Sequence, residues 1–454
     1  MSAVDTVVAE SGSADSPSDP PPVQKTRWPL AGRLLFRFGV LYCTLFIALF
    51  GQILAVFFGL LYLVLPDSAP MWPMVQLAPL FEWVGRTVLG IETTFDPNSG
   101  SGDQSAFWVM AFCALVVAAV VAVLWSILDR RPADPRLAAW FLTGLRFCLA
   151  GQMLFYGIAK TIPTQMPTPA LSTLLEPFGQ FTPMSVLWTQ VGSSPVYEIL
   201  LGVAELSAGL LLLLPRTATL GAMLSLVSMA QVFVLNMTFD VPVKLLSFHL
   251  MVFSLILLAP QLRRMLDFFL LARRAEPAVQ PPLFTGRRAN RYAVWVQAVV
   301  GLWMVAGVVH VGYTTWYEFG GGAPKPALYG MWEVAEFRLD GQPVAPLTTD
   351  ETRWQRLVIE YEGAATVQQM DGALITAPAL VDPAAHSLTL PAQPGAQNLP
   401  VGTFTYDRPE PGRLFLEGTL DGRPATIDLR STDLDSFPLN QDRFHWIRDQ
   451  PNQP

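Results

Sequence analysis

The chain has 454 residues, of which 52% are hydrophobic and only 14% charged, with a formal net charge of −7. Residues 327–454 hold 18 acidic and 9 basic residues, so the remainder is close to neutral, and neither part has the basic patch of a nucleic-acid surface. The three cysteines, Cys43, Cys113 and Cys148, all sit in apolar runs, which excludes a disulfide framework in the acidic C-terminal part.

Residues 1–24 are rich in Ser, Pro and Asp, and a disordered tail is expected there, over 1–28. The tail lacks the basic start of a signal peptide, so the first span is expected to stay as an anchor. About 20 apolar residues cross the hydrocarbon core as a helix, because lipid offers the backbone no hydrogen-bond partner. Seven such runs follow, at about 33–65, 106–128, 138–160, 197–214, 217–237, 243–260 and 292–316. The first is long enough to tilt or project. Between it and the second, "APMWPMVQLAPLFEWVGRTVLGIE" has Trp72, Phe81 and Trp83 placed for an interfacial helix. Residues 166–195, with their Pro, Gly and Trp188, read as a second interfacial or re-entrant piece. Residues 261–290 read as beginning with a basic amphipathic helix, with Phe268, Phe269 and Leu270 in the interface, or as a plain topogenic loop.

Placing the N-terminus in the cytoplasm puts 15 Lys and Arg on that side, among them Arg33, Arg37 and the arginines between 263 and 291. The other side receives Arg86, Lys160 and Lys244. Seven spans then leave the C-terminal part extracytoplasmic, in the inner membrane of a bacterial cell. That part, residues 327–454, shows eight short alternating or β-branched runs from "WEVAEFRL" to "ATIDLR", parted by turns such as "LDGQP" and "LDGRP". A small antiparallel β domain, a lipocalin-like barrel or a sandwich, is expected, with Trp446 and His445 plugging one end. The fold class is thus an α-helical polytopic membrane bundle followed by that β domain. The expected divisions are 1–28 (tail), 29–137 (first spans and interfacial helix), 138–275 (a four-helix core), 276–320 (loop and last span) and 327–454.

Charges within a membrane are costly and mark functional candidates. In the third run, Arg146 and Lys160 share one helix face. In the fourth, Glu198, Gly202, Glu205 and Gly209 form one stripe at i, i+4, i+7 and i+11, which predicts a closely packed interior face. A Glu205–Arg146 ion pair is expected, with Lys160 reaching outward as a snorkelling anchor. In "NMTFDVPVKLLSFHL", Asn236 ends the fifth span, and Asp240 is placed to cap the helix that Pro242 opens. Lys244 and Ser247 share a face, and His249 looks to another neighbour. In "GSGDQ", Asp103 reads as the N-cap of the second span or as a further carboxylate for the same outward mouth.

These motifs carry a resemblance. "LRFCLAGQMLFYGIAKTI", "GVAELSAGLLLLLPRTATLGA" and "LNMTFDVPVKLLSFHLMVFSLILLAP" together resemble the DoxX family of four-helix membrane proteins, over about 125 residues within 138–275. The resemblance implies a bacterial membrane protein associated with redox chemistry, with a lipophilic quinone as the expected ligand. In that reading Lys160, Glu205, Asp240 and Lys244 are the chemical groups. Arg146, Glu198, Asp103, Asn236 and His249 are the binding groups. The alternative is a non-enzymatic scaffold or lipid-binding protein whose β domain binds a protein partner outside the membrane. No metal site is expected.

Overall fold

The structure is a computed structural model that describes residues 28–66, 68–131, 133–274, 282–393, 399–441, 446–447 and 449. The expected disordered start and His445 lie outside these residues. Seven helices are long and apolar enough to cross a membrane, so the chain is an integral membrane protein. The first is α1 (Leu30–Leu49). It does not continue to residue 65. The backbone breaks at Phe50, resumes as the short α2 (Gly51–Ala55), then runs on as a 3-10 segment over 56–63 with a left-handed Gly59 (φ 54°). Apolarity alone reads this stretch as one long span. Broken backbone at such depth is tolerated only inside protein, and here Trp303 Nε1 donates to the freed Phe57 carbonyl at 3.0 Å.

Helix α3 (Trp72–Val84), where an interfacial helix was expected, buries Met74, Ala78 and Phe81 and leaves Trp72 and Trp83 exposed. Helices α4 (Ser105–Leu128) and α5 (Pro135–Thr161) follow, each beginning near Pro or a small residue that suits a first turn. Arg37, one of the charges behind the expected orientation, is fully buried. It donates to Asp129 O at 2.9 Å and pairs with Asp134 at 3.3 Å, tying α1 to the α4–α5 turn. The piece after α5 folds over the end of the bundle and includes α6 (Pro183–Gly192), whose N-cap Thr182 accepts from Ser185 N. Then come α7 (Pro195–Leu213), α8 (Ala218–Thr238), α9 (Lys244–Leu258), α10 (Leu262–Phe269) and the last span α11 (Arg287–Glu318).

The glycine stripe sets the tightest helix pair. An added Cβ at Gly202 would lie 2.4 Å from Thr161 N, and one at Gly157 would lie 2.5 Å from Leu206 N. Glycines on both sides therefore bring α5 and α7 into backbone contact.

The C-terminal part is a ten-stranded, wholly antiparallel, nearly closed barrel. Its strands are β1 (Gly330–Leu339), β2 (Gln342–Pro343), β3 (Trp354–Ile359), β4 (Ala364–Gln369), β5 (Leu374–Pro378), β6 (Leu380–Asp382), β7 (Ser387–Leu390), β8 (Gly402–Asp407), β9 (Arg413–Leu420) and β10 (Arg423–Ser431). The order is β5-β4-β3-β1-β10-β9-β8-β7-β6, with β2 beside β1. The two edge strands, β5 and β6, are joined through Ala379 alone, so the sheet ends meet at that residue. The interior is filled by Trp332, Phe337, Trp354 and Phe404 among aliphatic side chains. Trp446 is 92% exposed and does not plug the barrel; it follows the last strand by more than a dozen residues.

The barrel docks on the segment between α5 and α6. Leu171 is buried against Met331 and Val358. Its amide donates to Glu360 Oε2 at 2.8 Å.

Candidate functional site

The end of the bundle that faces the barrel contains a cavity of ≈ 160 Å³. It lies between the end of α5, the 165–166 segment, α6, α7, α8 and α9. Its walls are mostly apolar, with Leu187, Leu201, Met229, Val232 and Leu246 among them. Set into that wall are Tyr156, Lys160 and Glu205. Lys160 Nζ donates to Glu205 Oε2 at 2.7 Å, and the residues are 6% and 3% exposed. The register follows from the sequence. Lys160 stands one turn after Tyr156 on α5, and the ammonium lies 5.6 Å from the Tyr156 ring centre. Glycine contacts hold α7 close enough for Glu205 to meet it.

The expected Glu205–Arg146 pair therefore does not form. Arg146 and Lys160 share a face but stand 14 residues apart, about 21 Å along a helix, and Glu205 lies at the Lys160 level. Lys160 does not snorkel outward either, because the 162–182 segment covers the end of α5 and leaves it a buried carboxylate instead of water.

The polar lining extends on both sides. Gln52, on the broken segment after α1, donates to Tyr156 Oη at 2.7 Å, and Gln152 donates to the Gln52 carbonyl at 3.1 Å. Trp188 Nε1 donates to Gln165 O at 3.1 Å, fixing both residues at the cavity wall. Asn236 also lines the cavity, donating to Ser247 Oγ at 3.0 Å. Gln190, Tyr197 and Gln231 line it while being exposed, so the cavity reaches the protein surface beside α7 and α8.

The other candidates fall elsewhere. Glu198, 1% exposed, accepts from Met166 N at 2.9 Å and so ties the covering segment to α7. Asp103 caps neither its own helix nor an open mouth. Its two oxygens accept from Lys244 N at 2.7 Å and Leu245 N at 2.9 Å, the first amides of α9. That leaves no capping role for Asp240. It adopts a left-handed backbone (φ 53°) and pairs with Lys244 Nζ at 2.8 Å. His249 faces α1: its ring stacks on Phe46 at 3.6 Å, Nδ1 lies 2.7 Å from the Leu245 carbonyl, and Nε2 lies 2.7 Å from Tyr42 Oη. A carbonyl only accepts, so Nδ1 carries the hydrogen and Nε2 accepts from the tyrosine. Both nitrogens of a neutral ring are thereby satisfied. Of the nine candidates, only Lys160, Glu205 and Asn236 share the cavity.

Sequence reasoning passed over Tyr156, Gln165 and Gln231, and read Trp188 only as part of an interfacial or re-entrant piece. Tyr156 had a signal, its i, i+4 spacing to Lys160. Gln231 had one too, as an amide inside an otherwise apolar span. Gln165 had none, since only tertiary folding brings its segment back over the helices. Among the described residues no group of three or more His, Cys, Asp or Glu is placed to hold a metal.

No family model matches the chain, and no solved structure matches it. Over 141 residues, 29% of the chain, it is 36% identical to "Uncharacterized protein YwoB" of Bacillus subtilis (strain 168), covering 81% of that protein. The chain thus belongs to the family of that Bacillus protein.

Proposed function

We propose that this protein binds a lipophilic, ring-bearing molecule of the quinone class in the cavity between α5, α7, α8 and α9, with the Lys160–Glu205 pair as its polar contact. The observation that carries this reading is a buried ion pair set in the wall of a mostly apolar cavity. A pair serving stability alone needs no empty space beside it. A volume of about 150 Å³ is known to admit one benzene, so the cavity suits a single six-membered ring. Lys160 and Tyr156 would donate to ring oxygens, Trp188 would border the ring, and the opening beside Gln231 would pass an apolar tail to the lipid. Glu205 would exchange protons with such oxygens, as a buried carboxyl does. The DoxX-like reading of residues 138–275 agrees with this placement, since every lining residue falls within that range. With the N-terminus cytoplasmic, the site lies at the extracytoplasmic end of an inner-membrane protein.

A second reading, a membrane scaffold, is favoured by one fact: the pair is direct and satisfies itself. The two readings part on the variant in which Lys160→Met and Glu205→Met are combined. Removing both charges preserves a fold that removing one would not. The expected result is a stable protein that no longer copurifies with quinone when its lipids are extracted, whereas the wild type carries a stoichiometric amount. A double variant that retains quinone, or a wild type that carries only phospholipid, would overturn the proposal.

A further inference from the structure

A second site stands at the opposite end of the bundle. Arg146 is 6% exposed, yet among the described residues it has no carboxylate within ion-pair reach. Its Nη2 donates to the neutral Gln297 Oε1 at 2.6 Å, and its buried Nε has no partner. Arg146 lines a cavity of ≈ 370 Å³ that also contacts Thr143, Ala218, Thr219, Leu257 and Gln261, with no acidic residue in its wall among the described residues. Ala218 and Thr219 open α8, a helix of 21 residues. The hydroxyl of Thr217 ahead of them donates backwards to the Leu211 carbonyl instead of capping the helix. The first amides of α8 are therefore without a side-chain acceptor, a ready anion site. Pro135 and Pro260, both exposed, form the rim of this cavity. Next to that rim lies α10, with Arg263, Phe268 and Phe269 exposed, a face suited to the headgroup region of a bilayer.

We propose that this cleft seats the phosphoryl group of an anionic phospholipid, with Arg146 as the buried counter-charge and the α8 amides as further donors. A phosphate supplies what the site lacks, a negative charge with several acceptor oxygens, and Arg matches it with paired donors. The cleft is separate from the Lys160 cavity and does not depend on what that cavity binds.

Full-length protein in phosphatidylcholine nanodiscs, with or without phosphatidylglycerol, tests this by native mass spectrometry and by thermal melting. The wild type should retain phosphatidylglycerol over phosphatidylcholine and melt higher with it. Arg146→Met should lose that preference by about tenfold or more, the loss expected for a charge-assisted hydrogen bond. Thr219→Phe, which fills the cleft and leaves Arg146 in place, should lose it as well and guards against misfolding of the first variant. Equal retention of the two lipids, or an undiminished preference in both variants, would overturn the proposal. Stabilisation by inorganic phosphate alone, abolished in Arg146→Met, would overturn the lipid assignment in favour of a free anion.

Discussion

Lys160 and Glu205 meet at 2.7 Å with almost no exposure, so each depends on the other to offset the loss of water. Removing one partner of such a pair costs about 3–5 kcal/mol because the other charge is left buried. Lys160→Met alone should therefore lower the melting point sharply in detergent, and adding Glu205→Met should recover most of it. A single variant as stable as the wild type would mean that the pair is not held as described. The sequence identified both residues as intramembrane charges but paired Glu205 with Arg146. Helical periodicity tells which residues share a face, not which level of a facing helix they meet. That level is set by Gly157 and Gly202, whose contacts with Leu206 and Thr161 fix how α5 slides against α7. Asp103 teaches the same lesson. Its local sequence suits a cap, but the amides it accepts from belong to α9, 141 residues away.

Among the elements, the α5–α7 pair is the part that the site depends on most. Gly202 has backbone of the neighbouring helix where a side chain would go. Gly202→Leu must push the helices apart, and overpacking of this kind costs about 1–3 kcal/mol. The expected outcome is a destabilised protein in which Lys160 becomes reactive to an amine-directed reagent, while in the wild type it is shielded. Reactivity unchanged from wild type would show that the close approach is not what positions the pair. The spans from α4 to α11 were legible as apolar runs, as were eight of the ten strands. The missed strands, β2 and β6, are two and three residues long and too short for alternation to register. The break after α1 was illegible for a different reason. Residues 50–65 are as apolar as a span, and the turn at Gly59 packs on Trp303 and Gly307 from far along the chain.

At the scale of the whole molecule, the barrel and the cavity are joined by one segment. Gln165 and Met166 line the cavity, and five residues later Leu171 docks on the barrel through Glu360. Burial raises the Glu360 carboxyl above its ordinary range, and the Leu171 amide it accepts from partly opposes the shift. The folded chain thus holds this proton more tightly than the unfolded chain does. Its contribution to stability is full below the ordinary carboxylate range and is lost as pH rises through the raised value. Hydrogen exchange at the Leu171 amide, corrected for intrinsic rate, should accelerate over that rise. Glu360→Gln, neutral throughout, should flatten the dependence; a variant with the same pH profile as the wild type would assign the effect to another group. The acidic β domain was legible in composition, but nothing in the sequence pointed to its contact with the 162–182 segment.

The carbonyl of Phe57 is covered by the indole of Trp303, and Gly59 lies against Gly307. During synthesis, the second residue of each pair emerges some 250 positions after the first. Until α11 enters the bilayer, the broken backbone near the start has neither its hydrogen-bond donor nor its shelter from lipid. The first and last spans therefore close the assembly together, and insertion is complete only when nearly the whole membrane part has been translated. A chain ended ahead of Arg287 should be recognised as unfinished and degraded in cells, and a pulse-chase comparison with the full chain would show it as a shortened half-life.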